Sequence, residues 1–255
     1  MLLIKSMLSA FLMYSRIPVP QIEWKEENRK YSLCFFPLVG AVIGGLLILL
    51  NYICSLIEAG RFLFSVSATA LPVLVTGGIH LDGFCDVSDA RASCAGKAEK
   101  LKIMSDSHIG AFAVINLCIY FLLQTGLFSE LYGTSAIYAA ALGFIMSRSL
   151  SAFAAVTFKS AKSTGALQNF SKPADKIVSI TVSAVIFGAT VTASVLTEPF
   201  CGILSGVAAL IVLLYYRCFS YRCFGGITGD LAGWFLQICE LAVLAVAAIS
   251  EVMFT

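Results

Sequence analysis

Four aspartates in one short stretch carry the strongest chemical signal in this chain. Asp82, Asp86 and Asp89 lie in Gly77-Gly-Ile-His-Leu-Asp-Gly-Phe-Cys-Asp-Val-Ser-Asp89, and Asp106 follows in Met104-Ser-Asp-Ser-His-Ile-Gly110. On a helix, spacings of four and seven put the first three carboxylates within roughly 60° of one face. Like charges held that close repel, and burial raises the cost. A divalent cation removes the conflict, and oxygen donors are what Mg²⁺ prefers. The expected chemistry is Mg²⁺-dependent transfer at a diphosphate, with Asp82, Asp86, Asp89 and Asp106 as ligands.

The flanking residues sharpen this expectation and supply alternatives. An apolar run ends directly in His80-Leu81-Asp82, which sets Asp82 near a membrane interface, where an unpaired carboxylate is costly and usually functional. His80 is close enough to line the same site, whereas His108 reads as a hydrogen-bonding loop residue. Ser105-Asp106-Ser107 precedes an apolar helix, so Asp106 or Ser107 reads equally well as its N-cap. Arg91, Lys97, Lys100 and Lys102 form a basic bank; most are expected to anchor at the membrane surface, with one or two, Arg91 and Lys102 foremost, reaching a phosphate.

Two charges fall inside apolar runs. An intramembrane Arg148 is expected to face the bundle interior with a partner, or else to snorkel to the interface. Glu240 lies about 15 Å along a helix from Asp230 and needs a partner such as Arg148 or a substrate group. Asp230 closes a glycine-rich entry, Gly225-Gly-Ile-Thr-Gly-Asp230, as a substrate contact or simply a favourable charge at a helix N-terminus. The nine cysteines are scattered without CxxC or zinc spacing and read as small hydrophobes. Cys85, within the acidic stretch, is a poor donor for Mg²⁺.

The elements that must position these groups are membrane helices. With 255 residues, 59% hydrophobic and 13% charged, and a mean hydropathy of +0.90, the chain is not an ordinary soluble domain. Apolar runs near residues 33–57, 62–79, 111–128, 135–158, 177–196, 200–216 and 231–254 approach or reach the length of a bilayer span. Residues 1–15 are short for a span and read as an interfacial helix, and 21–32 as an exposed loop. The expected fold is an all-α polytopic bundle of about seven spans plus the N-terminal interfacial helix, one membrane domain over residues 1–255. Gly40, Gly44 and Gly45 are spaced to let helices approach closely. Basic residues crowd the loops on one side, around 16–30, 91–102, 159–176 and 217–222, while the other side holds only Arg61. The positive-inside rule then turns the acidic stretch toward the cytoplasm. A net charge of +2 points to no nucleic-acid partner.

In order along the chain, these motifs resemble the cobalamin (5′-phosphate) synthase family, also called adenosylcobinamide-GDP ribazoletransferases. The resemblance rests on Gly77-Gly-Ile-His-Leu-Asp-Gly83, the Asp82/Asp86/Asp89 spacing and Lys102-Ile-Met-Ser-Asp-Ser-His-Ile-Gly-Ala111. Arg16-Ile-Pro-Val-Pro20, Phe36-Pro-Leu-Val-Gly40 and Gly225-Gly-Ile-Thr-Gly-Asp230 with Glu240 agree in sequence order, so it runs nearly end to end. The chain departs at Ala90, where the family usually has Gly, and at His108, where it often has Arg. The resemblance implies a multi-pass enzyme of a bacterial or archaeal inner membrane. It would join adenosylcobinamide-GDP to α-ribazole or α-ribazole 5′-phosphate, releasing GMP and using Mg²⁺. In that scheme the aspartates hold the cation, Asp89 or Asp106 takes a proton, and His80, Arg91, Lys102, Arg148, Asp230 and Glu240 contact substrate. Self-association into a homo-oligomer is compatible with the sequence.

Three other readings are weaker. A CDP-alcohol phosphotransferase pattern would need its Ala-Arg pair and a further Asp pair downstream, but Ala90-Arg91 follows the wrong acid. A prenyltransferase would want a second aspartate-rich loop, and residues 171–176 offer only Asp175. A transporter would distribute its charges along a midplane path and show internal repeats, whereas here they gather in one loop.

Overall fold

The computed structural model describes residues 1–254, with the side chains of all but Ala166 and Phe254. Twelve helices account for most of them: α1 (Leu2–Tyr14), α2 (Glu26–Arg29), α3 (Ser32–Leu56), α4 (Arg61–Thr76), α5 (Ile79–Ala92), α6 (Lys97–Ile103), α7 (Ala111–Leu131), α8 (Ile137–Thr157), α9 (Ala166–Ser171), α10 (Lys176–Thr197), α11 (Pro199–Cys223) and α12 (Gly229–Phe254). No strand forms among the described residues beyond an isolated bridge between Ser160 and Ile227.

Six helices, α3, α7, α8, α10, α11 and α12, are long and apolar enough to cross a bilayer. The expected seventh span, residues 62–79, is shorter than its apolar run suggests. It ends as α4 at Thr76, and the chain turns by 97° into α5. The turn falls on Gly77 and Gly78, whose φ of 66° and 78° lie in the left-handed region that glycine enters without penalty. The bundle thus has six spans, or seven if the bent pair counts as one. We read α4 as its membrane arm and α5, with its three carboxylates and Arg91, as a polar arm outside the spans.

The bundle is built around α8, of whose apolar window 72% is buried, with α12 next at 61%. The flanking α7 and α10 bury only 22% and present leucine, isoleucine and valine outward, as lipid-facing helices do. Bilayer interiors give helices no water-exclusion force for association, so close contact has to come from small residues. Gly40 and Gly44 of α3 supply it. A Cβ on Gly40 would collide with the carbonyl of Phe144, and one on Gly44 would sit 2.5 Å from the carbonyl oxygen of Ala141, both on α8.

The N-terminal helix α1 is too short to span and packs on α3, burying Ser6, Ser9 and Ala10. Its exit is fastened to the α4–α5 turn. Arg16 N–H donates to the Val75 carbonyl at 2.7 Å, and the Arg16 side chain occupies the space a Cβ on Gly77 would need. The Gly225–Asp230 entry to α12 is held by the segment after α8. Ile227 N–H donates to the Lys159 carbonyl at 2.8 Å and Ala161 N–H to that of Ile227 at 2.9 Å.

Candidate active site

Helix α5 turns one face into the bundle, burying Leu81, Phe84, Cys85 and Val87, and leaves its carboxylates on the other. Asp82 is exposed, and Asp86 and Asp89 are half-buried. The spacing argument for a shared face therefore holds.

What the spacing does not reveal is the fourth carboxylate. Gly83 lies so close to α12 that a Cβ there would be 2.6 Å from the carbonyl oxygen of Asp230. A Cβ on Gly233 would be 2.9 Å from that of His80. Two glycines, one on each helix, thus bring the start of α12 against α5 and set Asp230 beside Asp82 and Asp86. Thr228 steadies that start: its hydroxyl accepts from Leu231 N–H at 3.2 Å and donates to the Asp230 carboxylate at 3.4 Å.

The electrostatic result is visible at Asp86. Burial, followed by the charges of Asp82, Asp230 and Asp89, pushes its carboxyl up to about 7, and only Lys162 pulls the other way. Lys162 belongs to the α8–α9 loop, and its ammonium donates to the Ser105 hydroxyl at 2.9 Å, tying that loop to the segment carrying Asp106. Among the described residues no group of three or more His, Cys, Asp and Glu side chains closes into a metal cage. Mg²⁺ does not need one, because it keeps several waters and commonly takes only one or two carboxylates plus substrate phosphates. Asp82, Asp86 and Asp230, gathered from two helices, are oxygen donors of the kind such a cation takes.

Asp89 is occupied differently. Its two oxygens accept from Gly110 N–H at 2.6 Å and Ala113 N–H at 2.8 Å, so it caps α7 from a separate helix. This corrects the expectation that Asp106 or Ser107 caps that helix. The N-cap position is Gly110, which has no side chain to offer. Asp106 stays exposed, accepting from His108 N–H at 3.0 Å and pairing with His108 Nδ1 at 2.6 Å. That partnership holds the Asp106 carboxyl below its usual range and raises His108.

The basic bank is turned to local partners. The Arg91 guanidinium lies 6.0 Å from the Phe219 ring centre, and Lys102 pairs with Glu99 at 3.0 Å on the surface. Arg148 does not snorkel. Fully buried, it pairs with Glu240 at 2.7 Å, and Ser147 donates to the same carboxylate oxygen at 3.0 Å. His80 is buried on the same side, its Nε2 without a protein partner, and it lines a cavity of about 10 Å³ shared with Tyr120, Gln124, Arg148, Gln237 and Glu240. That is about the space one water needs. On its other side His80 joins Tyr14, Phe36, Asp82 and Asp230 in walling a larger cavity of about 250 Å³. Of the residues anticipated as substrate contacts, then, His80 and Asp230 meet the acidic group, whereas Arg148 and Glu240 meet each other.

Residues 6–248 match the family described as cobalamin-5-phosphate synthase. The chain belongs to this family. It is 43% identical over 249 residues to the adenosylcobinamide-GDP ribazoletransferase of Lachnoclostridium phytofermentans, covering 97% of this chain and 95% of that one. The proteins of the same description from Clostridium botulinum (strain Alaska E43) and Treponema denticola are 33% and 32% identical, over 95% and 94% of this chain and 96% of each relative. No solved structure matches the chain.

Within this cobalamin-5-phosphate synthase family member, Lys162 is the residue that sequence reasoning missed. It stands in a loop with Lys159, where each lysine reads as a membrane-surface anchor. Only the bridge that docks Ser160 against Ile227, next to Asp230, gives it a place near the carboxylates.

Proposed function

We propose that this protein transfers the phosphoadenosylcobinamide group of adenosylcobinamide-GDP to α-ribazole or α-ribazole 5′-phosphate, releasing GMP. The observation that carries the reading is the meeting of Asp82, Asp86 and Asp230 from two helices, with Asp86 pushed to about 7 by burial and then by its acidic neighbours. A site that repels its own charges is prepared for a cation that arrives with a diphosphate. Its setting is the inner membrane of a bacterium or archaeon, with the acidic group facing the cytoplasm as the basic loops direct.

Asp82, Asp86 and Asp230 are the residues that would hold Mg²⁺, with Asp89 and Asp106 flanking them. Bound there, the ion would neutralise diphosphate oxygens and stabilise charge on the departing GMP. The chain's own groups do the rest. Lys162, the cation that acts on Asp86, is placed to meet phosphate oxygens. A ribazole hydroxyl oxygen bonds to the phosphorus attached to cobinamide, while the bond from that phosphorus to the GMP oxygen breaks in line. The hydroxyl proton passes to a carboxylate. Asp89 has both oxygens engaged in capping α7, which favours Asp106 over it. The Arg148–Glu240 pair serves as a positioning element beneath His80 rather than as a substrate contact.

The test is GMP release from adenosylcobinamide-GDP by purified protein in lipid, with α-ribazole and Mg²⁺, alongside Asp82→Asn. Corrinoid product that requires Mg²⁺ and disappears in the variant is the expected result. Folded protein without turnover overturns the reaction, and full turnover by the variant overturns the site.

A further inference from the structure

The cavity of about 250 Å³ beside the acidic group has a composition that restricts what can enter it. Its walls come from one end of the bundle: the exit of α1, the starts of α3, α5 and α12, and the last turns of α8. Three rings form one wall. The Tyr14 and Phe36 centroids are 4.2 Å apart, and His80 lies 6.3 Å from the first and 6.0 Å from the second. Ala152 and Ala155, small residues of α8, also line the space. Among the described residues, Asp82 and Asp230 are the carboxylates on the lining, and no Lys or Arg joins them.

These features sort the parts of the two substrates. The diphosphate belongs at the rim with Asp82 and Asp230, because deeper in the lining there is no Lys or Arg to pair with a phosphate. A corrin ring is excluded by size, since even drug-sized ligands occupy about 300–1,000 Å³. Guanine would leave most of its donors and acceptors unpaired against alanine, leucine and phenylalanine, which is costly for a buried polar edge. A flat, largely apolar bicyclic base fits, stacked along Tyr14 and Phe36. The sugar attached to it would then emerge at Asp82 and Asp230.

We infer that this cavity is the acceptor subsite, taking the planar apolar base of α-ribazole and presenting its sugar hydroxyls to the acidic group. The inference rests on the transferase reading above and adds which substrate lies where. It also assigns Tyr14 and Phe36, neither of which carries a charge, as residues that set the preference among bases.

The experiment compares wild type with Ala155→Leu, which fills the cavity, and Tyr14→Leu, which removes a stacking face without adding bulk. Steady-state KM is measured for each substrate, and binding of α-ribazole alone is measured by calorimetry in lipid nanodiscs. The expected result is a KM for α-ribazole raised by about tenfold or more, with KM for adenosylcobinamide-GDP nearly unchanged. Calorimetric affinity should fall in parallel. A riboside of adenine in place of the apolar base should lose less in Tyr14→Leu, because it gains less from the wall. A shift confined to adenosylcobinamide-GDP would assign the cavity to the donor, and no shift in either variant would remove it from the substrate path; both overturn the inference. Absence of turnover by wild type defeats the transferase reading alone, since α-ribazole binding that Ala155→Leu abolishes still identifies the subsite.

Discussion

The Asp89 carboxylate accepts the backbone N–H of Gly110 at 2.6 Å, so an acid of the aspartate-rich stretch holds the start of a lipid-facing helix 21 residues away. The remaining oxygen takes Ala113 N–H. Asp89→Ala should therefore lower stability in lipid by about 1–2 kcal/mol, the usual worth of a cap. Asp106→Ala, whose carboxylate is exposed, should leave the thermal midpoint unchanged while reducing GMP release. Thermal unfolding followed in parallel with activity separates the two acids. Equal midpoints for both variants would dismiss the capping role.

Arg148 and Glu240 make a second separable prediction. Removing one member of a buried ion pair strands the other, at a cost of about 3–5 kcal/mol. Arg148→Met and Glu240→Leu alone should each sharply reduce folded yield, and the double variant should recover part of the loss. A double-mutant cycle on thermal stability in nanodiscs checks this. Simple additivity would mean that the pair is not coupled.

A third prediction concerns Asp86. With its carboxyl raised from the ordinary 3.8 to about 7, the folded protein holds a proton that the unfolded chain releases. Without divalent cations, stability should therefore fall as pH rises from about 4 to 7 and level off above. Asp86→Asn should flatten that slope. Saturating Mg²⁺ should displace the proton and do the same. Thermal midpoints across this range, with EDTA or Mg²⁺, provide the readout; a slope unchanged in the variant would assign the titration elsewhere.

How much of this was legible in the sequence depends on how local each cause is. The spans were legible because bilayer thickness demands long apolar runs, but the bend at Gly77 and Gly78 that ends α4 early was not, since the hydropathy of residues 62–79 conceals it. The shared face of Asp82, Asp86 and Asp89 follows from helical period alone. The Arg148–Glu240 pair was foreseeable as one alternative, because a buried charge demands an opposite one. The capping of α7 by Asp89 was not, since capping patterns concern adjacent residues and this acid lies on another helix. Nor was the place of Asp230 in the acidic group, which depends on two backbones touching at Gly83 and Gly233.

That contact yields the fourth prediction. A side chain at Gly83 meets the backbone of Asp230, which cannot swing aside as a side-chain tip would. Gly83→Val should separate α5 from α12 and abolish GMP release while membrane insertion proceeds normally. Gly45→Ala, where a Cβ meets nothing within 4 Å, is the matched control and should retain activity. Activity in the first variant comparable to the second would show that the two helices need not touch.

The contact of Gly40 and Gly44 with α8 also bears on how the protein is made. Helix α3 ends at Leu56 and α8 begins at Ile137, so the ribosome must synthesise the whole acidic arm and α7 before α3 meets its main partner. Until then α3 waits in lipid with its glycine face uncovered, and the acidic arm α5 has no α12 to close upon. Maturation is therefore a late lateral event that follows translocation. A chain stalled before residue 157 would hold α3 and α7 without the helix that joins them, its glycine face open to lipid.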